Sequence, residues 1–118
     1  MQTREEALKK LSHSKFRSSF HLSQKEKEYI KEKGMAVIEQ HAYDFVEKRI
    51  SSSYIENDGK QTPMKGHPVF KAMHACACCC RGCLEKWYRV PRNIELNEIQ
   101  KKKIVNLLLA WIEKELRE

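Results

Sequence analysis

The chain has 118 residues, 33% charged and 41% hydrophobic, with 23 Lys+Arg against 16 Asp+Glu and a formal net charge of +7. That length suits one domain around one modest core, so residues 1–118 are read as a single unit, with 1–14 as a peripheral helix or arm. No apolar run reaches the ~20 residues that span a bilayer and no internal repeat is present, which excludes a membrane protein, a collagen and a solenoid.

In chain order the pattern is helical. Arg4–Leu11 puts Ala7, Leu8 and Leu11 on one side of a short helix. Residues 12–20 form a Ser-rich basic connector with Phe16 and Phe20 as apolar anchors. Ser23-Gln24-Lys25-Glu26 has the form of a capping box, and Ile30, Val37, Ile38, Ala42, Phe45 and Val46 recur after it at helical spacing. Gly34 interrupts this run, predicting a helix over 24–33 and a longer one over 35–50. Residues 51–66 show no periodicity; Asn57-Asp58-Gly59 signals a turn, and a loop of this length in a small domain is commonly functional. Pro68 suits a first helical position, opening a helix that runs to Ala77. Gly82 permits a turn among the cysteines. Leu84–Val90 makes one or two helical turns, stopped by Pro91. Asn97…Gln100 caps the strongest helix, which carries Ile104, Val105, Leu108, Leu109, Trp111, Ile112 and Leu116 to the C-terminal end. The fold class expected is mainly α: a small helical domain with a long central loop and a Cys/His-rich turn.

The chemistry concentrates in one stretch. All five cysteines lie between Cys76 and Cys83. A disulfide framework spreads its partners so that bridges close useful loops; this cluster closes nothing, and five thiols leave one over. Residues 1–6 lack the apolar stretch of a secretory signal, so a reducing cytoplasm is the expected location. Dense thiols there point to metal or redox chemistry. Cys80-Arg81-Gly82-Cys83 is a C-x-x-C pair, and zinc takes four Cys or His ligands in a tetrahedron. The expected site is His74, Cys80 and Cys83, completed by Cys79, His67 or His41. His67 and His74 are two helical turns apart, and His41 lies on the stripe between Ile38 and Phe45.

Rival readings are weighed by context. A dithiol exchange site usually follows a strand in a βαβ unit, whereas helix precedes Cys80. An iron–sulfur cluster needs four suitably placed ligands and ranks below zinc. There is no His-x-Glu deaminase element, no H-E-x-x-H and no glycine-rich phosphate loop. A Cys–His nucleophile pair stays open, with His67 or His41 beside Cys79 or Cys80.

The charge excess is local as well. Residues 59–103 hold 10 basic and 3 acidic side chains, which favours an anionic partner, most simply nucleic acid. Lys65, Arg81, Lys86, Arg89 and Arg92 are the expected contacts, with Trp87 and Tyr88 available to stack on bases, although core packing is the commoner fate of such a Trp.

Three stretches, Phe16–Leu22, Asn57–Phe70 and Cys79–Trp87, the last two including Asn57-Asp58-Gly59-Lys60-Gln61-Thr62-Pro63-Met64-Lys65-Gly66-His67-Pro68-Val69-Phe70 and Cys79-Cys80-Arg81-Gly82-Cys83-Leu84-Glu85-Lys86-Trp87, resemble a family of short bacterial proteins catalogued as a domain of unknown function. The resemblance spans about residues 15 to 113 and brings no established activity. It implies a site built from Cys79, Cys80, Cys83 and His74, with His21, His41 or His67 joining through the fold. It also implies that Cys76 and Cys78 are incidental, and it has His where this chain has Tyr88. The function expected is therefore a small metal-binding protein, zinc first, with an anionic partner; the alternative is a metal- or thiol-dependent enzyme using the same cluster.

Overall fold

Side chains that accept from otherwise unpaired amides set the helix starts. The computed structural model describes residues 3–53 and 58–118; Asn57 of the expected turn lies outside the described residues. Thr3 caps α1 (Arg4–Ser12). A short 3₁₀ turn, Arg17–Ser19, occupies the expected connector. Ser23 Oγ accepts from the Glu26 amide at 3.1 Å while the Glu26 carboxylate accepts from the Ser23 amide at 2.8 Å. This complete capping box opens α2 (Gln24–Lys33). Gly34, at φ +85°, separates α2 from α3 (Met35–Arg49), as the sequence suggested; a β-carbon would be strained at that angle. Pro68 opens α4 (Pro68–Ala75), α5 covers Arg81–Tyr88, and a second complete capping box between Asn97 and Gln100 opens α6 (Glu98–Leu116). Among the described residues there are six α-helices and no strand, so the fold is small and mainly α.

α6 is the axis of the core. It packs against α1, α3 and α4. A helix covered on several sides needs a wider apolar face than a surface helix, and Ile104, Val105, Leu107, Leu108, Trp111 and Ile112 are accordingly all buried. Two buried charges pin this axis. Lys101 bridges Glu47 of α3 and Glu98. Glu115 accepts from the Leu22 amide at 2.8 Å and faces His21 Nδ1 at 3.2 Å, tying the start of α2 to the end of α6.

Around the cysteines the boundaries differ from those expected, for local reasons. α4 ends at Ala75 rather than Ala77, because Ala77 takes a left-handed conformation (φ 57°). The Ala77 amide donates to the His74 carbonyl at 3.3 Å and the Cys78 amide to Met73 at 2.8 Å, the paired bonds of a Schellman ending with alanine where glycine is usual. α5 begins at Arg81, three residues earlier than expected, because the Cys80 thiol accepts from the Cys83 amide at 3.3 Å and acts as its cap. Gly82 therefore makes no turn. It lies in the first turn of α5, where a β-carbon would come within 2.8 Å of the Arg92 guanidinium and 3.2 Å of the Asp58 carboxylate.

Arg81 is the most connected side chain in this region. It is 2% exposed, and its guanidinium donates to the carbonyls of Ser52 at 2.7 Å and Ile94 at 2.8 Å, to Pro91, and at longer range to Ile50 and Ser51. This joins the end of α3, the start of α5 and the segment after α5. A lysine has one donor centre and cannot span that set. Arg81→Lys should lower folding stability by about 2–3 kcal/mol, read as an earlier urea midpoint at unchanged slope; a loss below ~1 kcal/mol would show that the network is dispensable.

Candidate metal centre

The Schellman end of α4 and the thiol cap of α5 lie five residues apart, and the turn between them folds three sulfurs together. The Sγ atoms of Cys79, Cys80 and Cys83 all lie within 4.8 Å of one another, with Cys79 and Cys83 at 3.6 Å. Cys79 and Cys80 are buried and Cys83 is half-buried, so the cluster meets solvent through Cys83.

One cation faces these sulfurs, and it comes from far away in sequence. Arg17, 9% exposed, donates to Cys83 Sγ at 3.2 Å, to Cys79 Sγ at 3.7 Å and to the His74 carbonyl at 2.6 Å. Its guanidinium lies 6.0 Å from the Trp87 ring. The thiols titrate unequally in consequence. The hydrogen bond from Cys79, aided by Cys80 and Arg17, holds Cys83 down to about 5 against the effect of burial. The same bond, with burial, pushes Cys79 up, and burial pushes Cys80 up. One proton therefore leaves the Cys79–Cys83 pair readily and the second does not.

Cys76 and Cys78 stand apart. Both are fully buried, burial raises both, and neither joins the three-sulfur group. Cys76 Sγ points toward the Leu107 carbonyl of α6. Tyr88 is buried and spends its hydroxyl on the Cys76 carbonyl, so it offers no exposed ring for stacking.

The histidines divide. His74 Nε2 lies 3.0 Å from the Thr62 carbonyl and 3.2 Å from that of Pro63. Acceptors on that side make Nε2 the protonated nitrogen and leave Nδ1 with the lone pair. Thr62 in turn donates to the Cys79 carbonyl at 2.7 Å, so the long loop is fastened to both His74 and the cysteine turn. Among the described residues no histidine nitrogen joins the three sulfurs within 4.8 Å.

His67 and His41 pair with each other. His67 Nδ1 accepts from the Val69 amide at 3.0 Å as the cap of α4, which leaves the hydrogen on Nε2, 3.0 Å from His41 Nδ1. With both ring nitrogens of His67 engaged, this pair has its own structural duty. Among the described residues no imidazole is hydrogen-bonded to a thiol, as a Cys–His nucleophile pair would require. His21 instead groups with Glu115 and Glu118, where Glu115 already accepts from a backbone amide.

The five cations expected to hold nucleic acid also separate. Arg81 is buried and committed to carbonyls, and Arg92 pairs with Asp58 at 3.4 Å and Glu85 at 3.3 Å. Lys65, Lys86 and Arg89 are exposed. Trp87 is half-buried against the core. Sequence reasoning missed Arg17; its signals were its place between Phe16 and Phe20 and its position inside the stretch 16–22 that resembles the family.

The chain belongs to the family described as a domain of unknown function (DUF4186), matched over residues 5–113. That span contains Arg17, the histidine pair and the whole cysteine turn. No solved structure matches the chain. No helix among the described residues is long and apolar enough to cross a membrane.

Two measurements check these electrostatics. In chelator-treated protein, iodoacetamide at mildly acid pH should modify Cys83 first and leave Cys76 and Cys78 untouched on peptide mapping. Arg17→Gln should slow the Cys83 reaction severalfold, since the thiolate is the nucleophile; equal rates in both proteins would remove Arg17 from the account. Burial, then the neighbouring His41, lowers His67 to about 4. Its unfolded value is ~6.5, so between those values the unfolded chain binds the extra proton. The stability tied to His67 is thus full above the unfolded value and is lost as pH falls through the folded one. His67→Asn, which keeps a capping side chain, should flatten this loss when urea midpoints at neutral and acid pH are compared.

Proposed function

We propose that this protein binds a single metal ion, zinc in the first instance, through Cys79, Cys80 and Cys83. The convergence of three thiols within 4.8 Å carries the reading. Zinc–sulfur bonds of ~2.3 Å at tetrahedral angles set sulfurs roughly 3.8 Å apart, and the Cys79–Cys83 separation of 3.6 Å is close to that. Three thiolates around a divalent ion leave one net negative charge, and Arg17 against two of the sulfurs supplies its counterpart. Binding requires the thiols to lose their protons; the ion's own charge drives this at Cys79 and Cys80, while Cys83 is ready without it.

Three cysteines leave one zinc position. His74 is the proposed occupant: a ring that donates Nε2–H to backbone carbonyls and keeps Nδ1 free has the tautomer and outer contacts usual for a histidine ligand, and a shift of the ring toward the sulfurs completes the shell. Water in that position instead would make the ion a hydrolytic centre. A four-thiol iron–sulfur site has less support, since Cys76 and Cys78 are buried and lie outside the three-sulfur group.

A second reading, thiol redox, is favoured by the 3.6 Å Cys79–Cys83 approach and by the acidity of Cys83. There the two thiols lose two protons and two electrons to an acceptor disulfide, which becomes two thiols. A nucleic-acid partner is supported by the exposed cations Lys65, Lys86 and Arg89, once Arg81 and Arg92 are assigned to the fold.

Metal analysis of untagged protein decides between the first two. The expected result is one zinc per chain, retained in a Cys76→Ser, Cys78→Ser double variant, lost in Cys80→Ser and Cys83→Ser, and weakened in His74→Gln. Metal-free protein whose Cys79 and Cys83 equilibrate reversibly with glutathione disulfide would overturn the metal assignment in favour of redox chemistry.

A further inference from the structure

An open cleft of about 720 Å³, lined by none of the cysteines, lies between α2, the first turn of α4 and segment 64–66. That size falls in the ~300–1,000 Å³ range of small-molecule sites. Its composition is mixed in a specific way. The ring of Tyr29, the side chain of Met64 and the ring of Pro68 line it with apolar surface, and Met64 is 53% exposed. The Tyr29 ring meets His67 edge-on at 5.5 Å, and His67 is held neutral by its surroundings, so this wall carries no charge of its own.

The charges of the cleft do not cancel. Lys71 pairs with Glu26 at 2.6 Å and also donates to the His21 carbonyl at 2.9 Å. Glu26 further accepts from the Ser23 amide. Those two residues neutralise each other and are satisfied within the fold. Lys25 and Lys65 line the same cleft and have no hydrogen-bond or ion-pair partner among the described residues. Two unpaired ammonium groups beside an apolar floor fit a doubly charged anion with a flat apolar body. Lysine binds phosphate as a point charge, whereas planar two-pronged carboxylate recognition favours arginine, and no arginine lines this cleft.

We propose that this cleft binds a planar aromatic phosphate of nucleoside-monophosphate size, with the ring on Tyr29, Met64 and Pro68 and the phosphate between Lys25 and Lys65. The inference needs no metal and uses none of the cysteines. It gives the anionic partner expected from the charge of residues 59–103 a defined chemistry, with Lys65 from that segment and Lys25 from outside it.

The test uses the full chain and adenosine monophosphate, titrated by equilibrium dialysis at low salt. Saturable binding at one equivalent is expected, with adenosine and inorganic phosphate each bound far more weakly. The double change Lys25→Ala, Lys65→Ala should weaken binding about tenfold, and Tyr29→Leu should also weaken it at unchanged circular dichroism. A short single-stranded oligonucleotide separates the sources of the ligand: if it binds, is displaced by the monophosphate and is weakened by the same lysine pair, the cleft recognises a nucleotide within a polymer. Three results would overturn the proposal: no saturable binding up to about 10 mM, equal affinity for adenosine, or binding of either probe that the lysine pair leaves unchanged.

Discussion

The buried guanidinium of Arg81 is the constraint on which the rest of this fold depends. An arginine cannot shed its charge inside a protein, so a buried one must be surrounded by acceptors. Here the acceptors are main-chain carbonyls from two segments that have no regular structure to satisfy them: the residues just after α3 and the residues between α5 and α6. One side chain thus organises both irregular stretches. Because it is also the first residue of α5, it fixes where that helix begins. Cys80 then falls at the cap and Cys83 in the first turn, so the burial of Arg81 and the Cys80 thiol cap together set the position of the two sulfurs.

Arg17 approaches the same turn from the other end of the chain. It binds the His74 carbonyl at the end of α4 and the sulfurs of Cys79 and Cys83, bridging the last turn of one helix and the first turn of the next. Thr62 and His74 close the remaining side by fastening the long loop to the Cys79 carbonyl and to the α4 helix. Ala77 in a left-handed conformation is tolerated because both bonds of its Schellman ending are made, although alanine costs more than glycine there. The cluster is therefore held from four directions before any ion is considered, the kind of preorganisation that thiolate sites need in order to place sulfurs without ordering a loop on binding.

The helices were legible because their signals are local. Ser23 and Glu26, Asn97 and Gln100, Pro68 and Gly34 each act within four residues of themselves, and all four mark boundaries where expected. The ends near the cysteines were not legible, since a thiol as a helix cap and an alanine in a glycine position run against the usual preferences. Gly82 shows the limit of reading one residue by type. Its lack of a side chain leaves room for the ends of Arg92 and Asp58, and only the tertiary fold brings those two groups there. Among the site residues, Cys79, Cys80 and Cys83 were visible as a dense sequence cluster. The His41–His67 pair was not, because a bond between α3 and the start of α4 joins positions 26 residues apart.

The net charge shows the same distinction between sequence and space. Counted along the chain, the positive excess belongs to residues 59–103, the segment that also contains the thiols. In the folded protein part of that excess is taken up: Arg81 is buried among carbonyls, Arg92 faces Asp58 and Glu85, Lys71 faces Glu26, and Lys101 faces Glu47 and Glu98. The cation that touches the sulfurs is Arg17, from a segment whose own balance gave no reason to single it out. Electrostatic influence falls off over the few ångströms separating charged groups and is screened beyond about 10 Å, so what the Cys83 thiolate feels is set by the neighbouring thiols and the guanidinium at 3.2 Å and hardly at all by distant lysines of its segment. Charge counting along the chain therefore does not tell which cation serves which group: four of the segment's ten cations are committed within the fold, and the one against the sulfurs was delivered by folding.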